Sequence, residues 1–172
     1  MTKRSDPVAA ADEAARRQAR DLVAGAGFAA LSWHDAEDGL PGISRIAFGR
    51  APEGGMVTLV SALAPHFAAL QAHPDCALMV GEVGDKADPL THPRLMIKAR
   101  AVFVAGDDPE RAALRAHWLR DHPKAKLYVD FADFAFVRFV PRSALLNAGF
   151  ARAYRLSPED LVPEDPAPGD PA

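Results

Sequence analysis

The sequence contains one cysteine, Cys76, in 172 residues. That excludes a disulfide framework. Cys76 lies inside an apolar strand pattern and reads as a buried structural thiol, not a nucleophile. No apolar run approaches the ~20 residues that a membrane-spanning helix needs. No charge of one sign dominates: 20 Lys and Arg stand against 23 Asp and Glu, a net of −3. The electrostatic case for nucleic acid or an anionic membrane is therefore missing. The 6 histidines show no H-E-x-x-H or Cys/His spacing, so no metal site is expected. There is no G-x-G-x-x-G after a strand and no Walker A pattern, which excludes Rossmann and P-loop nucleotide sites. G-x-S-x-G, the nucleophile elbow of serine hydrolases, is absent too. The first twelve residues lack the apolar core of an export signal, so the cytoplasm is the expected compartment.

What is present suits one globular domain. Hydrophobic residues make up 49% of the chain, and its length allows a full core. Residues 163–172 carry four prolines and three acids and read as a disordered tail. Residues 1–12 read as a flexible N-terminus, which leaves 13–162 as the domain.

Within it, Ala15, Ala19, Leu22, Val23 and Ala26 form the stripe of a half-buried helix over 13–24. Residues 28–34, 43–50 and 56–62 read as strands joined by the turns at 35–39 and 51–55, an antiparallel meander. A helix over 65–72 and a strand over 76–82 follow. In the strand over 94–105, Leu95, Ile97 and Ala99 alternate with Met96, Lys98 and Arg100. A helix from 109 to 121, a short helix over 124–129, and closing strands over 134–140 and 143–147 complete the order. Apolar strand surface at Phe134, Phe136 and Phe139 is expected to need cover from a second copy. The pattern is α+β with a mainly antiparallel sheet that closes most easily into a small barrel.

The junction Ser61-Ala62-Leu63-Ala64-Pro65-His66 concentrates the chemistry. Pro65 ends the strand and suits the first turn of a helix. Free N–H groups and a positive helix end there favour an anion, such as a cofactor phosphate. Arg45 lies in the strand Ile43-Ser44-Arg45-Ile46. It reads either as an edge arginine in water or as a guanidinium for a phosphate. Arg94, Lys98 and Arg100 share one strand face, either solvated or forming a cationic wall beside an anionic ligand.

These segments together resemble a known family. They are Ser44-Arg45-Ile46-Ala47, Leu59-Val60-Ser61-Ala62-Leu63-Ala64-Pro65-His66, His73-Pro74-Asp75-Cys76, Pro93-Arg94-Leu95-Met96-Ile97-Lys98, Tyr128-Val129-Asp130-Phe131-Ala132-Asp133-Phe134 and Asn147-Ala148-Gly149-Phe150-Ala151-Arg152. The chain resembles the pyridoxamine 5′-phosphate oxidase-like FMN-binding split barrels, in the branch near the haem-utilisation proteins. The resemblance implies a small antiparallel six-stranded split β-barrel with flanking helices. It implies a homodimer with FMN at the interface, and an FMN-dependent oxidoreductase of unknown substrate. It places FMN against Arg45, Ile46, Ser61, Ala62, His66 and Arg94, with no side chain singled out as catalytic. The branch often has threonine and asparagine where this chain has Phe67 and Ala69. The rival readings are a haem-binding or haem-degrading split barrel and a flavin-binding protein without turnover.

Overall fold

The computed structural model describes residues 8–85 and 88–162. Helix α1 (Glu13–Gly25) starts where Asp12 caps it, its carboxylate accepting the Ala15 N–H at 2.8 Å. The stripe Ala15, Ala19 and Val23 is buried, as the spacing predicts. Strands β2 (Phe28–His34) and β3 (Pro41–Ala47) form the expected hairpin. Phe48, wholly buried, interrupts the second of these; β4 (Gly49–Arg50) resumes it and pairs with β5 (Met56–Ser61). Then come α2 (Pro65–Ala72), β6 (Asp75–Val80), β7 (Arg94–Phe103), α3 (Arg111–Asp121), β8 (Phe134–Asn147) and β9 (Ala153–Leu156). The short strand β1 (Val8–Ala10) runs parallel to β9.

The long strand β8 organises the sheet. It pairs with β5, β7 and β9. From β7 the sheet continues through β6 and β2 to β3. Because β4 prolongs β3 and β5 bonds both β4 and β8, the strands close on themselves as a barrel. Buried Thr58 clasps this closure: its hydroxyl donates to the Ala47 carbonyl at 2.6 Å.

The α+β architecture agrees with expectation, but the strand count does not. Among the described residues nine strands are present, against the six expected. The extra count comes from the interruption at Phe48 and from the β1 and β9 additions outside the ring. The two closing strands expected around Pro141 are one continuous strand of 14 residues. Residues 8–10, read as part of a flexible stretch, are strand β1; residues 1–7 and the tail 163–172 lie outside the described residues.

Strand alternation sorts the faces. Leu95, Ile97, Ala99 and Ala101 of β7 point into the barrel, while Met96, Lys98, Arg100 and Val102 point out. Phe136 and Phe139 are 0% and 2% exposed, so they fill the protomer's own core and are not surface awaiting a partner. The first belongs to a second core under α3 with Leu114, Trp118 and Val129, the other to the barrel core.

Gly81 ends β6 at φ +112°, and a Cβ there would lie 2.5 Å from the Pro93 carbonyl oxygen. A side chain meets both backbone strain and a collision with main chain. Gly81→Ala is expected to lose roughly 1–3 kcal/mol of unfolding free energy, read as a lower urea midpoint.

Candidate functional site

The β5–α2 junction is built by two polar pairs that act at a distance in sequence. Ser61, the last residue of β5, donates its hydroxyl proton to Asp133 Oδ2 at 2.9 Å. The Asp133 carbonyl accepts the Ala62 N–H at 2.7 Å. The Leu63 N–H donates to Ser61 Oγ at 3.2 Å, and the Ala64 N–H to the Ser61 carbonyl at 3.0 Å. Pro65 contributes no donor. Three consecutive N–H groups of the junction are thus engaged within the chain, and a carboxylate already holds its hydroxyl.

His66 turns inward and is buried, only 9% exposed. Its Nδ1 lies 3.1 Å from Ser44 Oγ, which also accepts the Trp33 Nε1–H at 3.0 Å. Burial pushes the His66 imidazole below its ordinary value, which favours the neutral ring. Neutral Nδ1 then accepts the Ser44 hydroxyl proton, so donors and acceptors balance along Trp33, Ser44 and His66. Gly42 makes this possible: a Cβ there would lie 2.4 Å from the Trp33 ring.

The six residues expected around one cofactor do not meet in one pocket. Ile46 is core, and His66 faces the barrel side of β3. Arg45, on the opposite face of that strand, is exposed with its guanidinium 5.3 Å over the Phe28 ring. Ser61 and exposed Ala62 are tied to Asp133. Arg94 shares the outer face with Arg45 but lies three strands away on β7, its Nη1 donating to the Leu90 carbonyl at 3.1 Å. At about 4.8 Å per strand the two backbones are some 14 Å apart. From Arg45 the register runs through Ala30, Met79 and Met96 to Leu145 in one row.

A cleft of about 550 Å³ opens further along that face. His34, Pro41, Asp75, Ala77, Lys98, Arg100 and Arg142 line it. Arg142 is there because of a bulge. Lys98 pairs with Ser143 but Ala99 pairs with Pro141, so Arg142 is the unmatched residue. Cys76 also lines the cleft. Its thiol, pushed up to about 12 by burial and by Asp75, donates to the Ala99 carbonyl at 3.5 Å and stays protonated. A second cavity of about 610 Å³ lies between the end of α1 and α3. Its polar groups are spent on neighbours: His122 donates to the Phe48 carbonyl, and His117 meets Arg120 and Asp121.

Sequence reasoning missed Asp133, Ser44, His34 and Arg142 as site residues. Only Arg142 left a signal, a proline beside it inside a strand pattern. Among the described residues no group of three or more His, Cys, Asp or Glu could hold a metal ion, and no helix is long and apolar enough to cross a membrane.

No family model matches the chain. It is 34% identical over 122 residues to the chloroplastic non-canonical haem oxygenase HOZ of Arabidopsis thaliana, covering 71% of this chain and 36% of that protein. It is similar to a solved haem-binding protein from Mycobacterium smegmatis, 26% identical at a TM-score of 0.78, covering 88% of this chain and 61% of that one. A putative pyridoxamine 5′-phosphate oxidase from Listeria innocua shares the fold at a TM-score of 0.60 and 12% identity, covering 78% of this chain and 98% of that one. The chain thus spans about a third of the length of the curated relative it matches.

The buried His66 sets a pH test. Its unfolded form titrates near about 6.5 and its native form lower, so the unfolded chain takes up the proton first. This stability is present above about pH 6.5 and is lost as pH falls through the lowered native value. Urea midpoints should therefore drop between pH 7 and 5 (roughly this window), and the drop should be smaller in His66→Gln.

Proposed function

Since the chain belongs to the pyridoxamine 5′-phosphate oxidase-like split-barrel family, in the branch near the haem-utilisation proteins, we propose that it binds haem and works as a homodimer. The observation that carries this reading is the Asp133 carboxylate, 2.9 Å from the Ser61 hydroxyl. A flavin phosphate at this junction would have to displace that carboxylate or share a seat with it. Two anions in one place disfavour each other unless a cation stands between them, and Arg45, the cation expected to hold the phosphate, is exposed over the Phe28 ring on the outer face. Phe67 and Ala69 offer a phosphate no side-chain donor either.

The outer sheet face suits a flat apolar ring with acidic arms. Apolar side chains are exposed along it, with Ile43 at 77% and Met79 at 47%. Arg45, Arg94, Lys98, Arg100 and Arg142 stand around them. The names of the relatives agree, one a haem oxygenase and one a haem-binding protein. When bound, haem would supply the iron chemistry; the chain would seat the macrocycle and shield it. The same exposed apolar row gives a second copy something to cover, so the dimer forms through the outer face and not through the phenylalanines of β8.

Flavin binding is the second reading, as an oxidoreductase or as a carrier without turnover. It rests on Arg45, a guanidinium with no ion pair among the described residues.

Two measurements check the proposal. Titration of the purified chain with hemin should give a saturable Soret band at about one haem per chain; a featureless titration contradicts haem binding. Light scattering should give about twice the 18.4 kDa chain mass. Met79→Asp should shift the particle toward a single chain, and a monomeric parent protein removes the dimer.

A further inference from the structure

Resting on the haem reading, we infer that the cleft at the His34 end of the outer face is where the macrocycle sits, with His34 as the iron ligand. Lys98, Arg100 and Arg142 take its carboxylates. Register brings these residues to one place. Ser32, Ala77 and Lys98 lie in one row across β2, β6 and β7. In the next row on the same face Asp75 pairs with Arg100, and His34, two residues beyond Ser32 on β2, lines the same cleft as Asp75. His34 is then two strands from Arg100, about 10 Å between backbones. This separation suits a ring whose iron is central and whose carboxylates are at one edge.

The charges favour an acidic guest. The Lys98 and Arg142 side chains make no hydrogen bond or ion pair among the described residues. Arg100 reaches Asp75 only at 3.5 Å, and that carboxylate is 80% exposed. Three cations thus face one loosely held acid. Arg142 is turned toward the cleft by the bulge that Pro141 forces, a device that re-aims one side chain without disturbing the strand. Guanidinium groups suit carboxylates because they bind them in pairs of hydrogen bonds. Pro41 and Ala77 give the cleft an apolar lining.

His34 suits the iron. It is exposed and lines the cleft, with its ring nitrogens free of any hydrogen bond among the described residues. The His73 ring lies edge-on to it, centroids 5.0 Å apart, and fixes its plane from behind. His73 does not line the cleft, so it is a positioning residue.

The test is the absorption spectrum and affinity of the full chain with ferric hemin. The parent protein should show a histidine-ligated Soret band. His34→Ala should lose that band shape, and free imidazole should restore it. Lys98→Gln with Arg142→Gln should weaken hemin affinity at least about tenfold while leaving the ligated spectrum unchanged. A His34→Ala protein with the parent spectrum overturns the ligand assignment while haem binding stands, and so does loss of the band in His73→Ala alone. Unchanged affinity in the double variant overturns the cleft. A parent protein that takes up no hemin fails at the prior step and removes the haem reading itself.

Discussion

Pro141 stands inside a strand that three others depend on, and the sheet has to absorb it. A proline offers no N–H to a ladder, so a mid-strand proline forces a register change or an edge. Here β8 pairs with β5 up to Phe139 and with β9 from Ala144, so Pro141 falls in the gap between them on one side, while β7 runs past it on the other. The solution is a bulge that leaves Arg142 unmatched while the barrel core from Val137 to Leu146 stays intact. The residue freed by the bulge is one of the cations that give the outer face its character. A constraint on the backbone and the chemistry of the surface thus have one origin.

The β5–α2 junction shows the same coupling in the opposite sense. A strand ending in serine ahead of a proline-started helix is a plausible anion seat on local grounds. Tertiary structure fills it. The segment before β8 brings Asp133 back across 72 residues to accept the Ser61 hydroxyl and the Ala62 N–H. Hydrogen bonds to a carboxylate are among the stronger neutral-donor contacts, worth roughly 1.5–3 kcal/mol. A ligand phosphate has to compete with a partner that is covalently present. On the barrel side, Trp33, Ser44 and His66 form a satisfied polar chain that needs no ligand at all.

Much of the scaffold was legible in the sequence. The α1 stripe Ala15, Ala19 and Val23 follows from helical spacing, and the two faces of β7 follow from alternation. The strand count was not legible, because it depends on a single buried residue, Phe48, and on a parallel pairing between residues 8 and 153 that no local pattern announces. The site was half legible for the same reason. His66 and Ser61 declare themselves by their place beside Pro65, but their partners Ser44 and Asp133 lie 22 and 72 residues away. The meeting of His34 with Lys98 and Arg142 depends on register across four strands, which exists only once the barrel has closed.

The claim that most separates this account from a flavoprotein is that Asp133 occupies the seat of a flavin phosphate. FMN affinity measured by fluorescence quenching, for the parent chain and for Asp133→Asn, tests it directly. The account predicts weak or absent binding to the parent and a gain of at least about tenfold in the variant, where a like charge has been removed from the junction. Tight FMN binding by the parent, unchanged or weakened in Asp133→Asn, would contradict it.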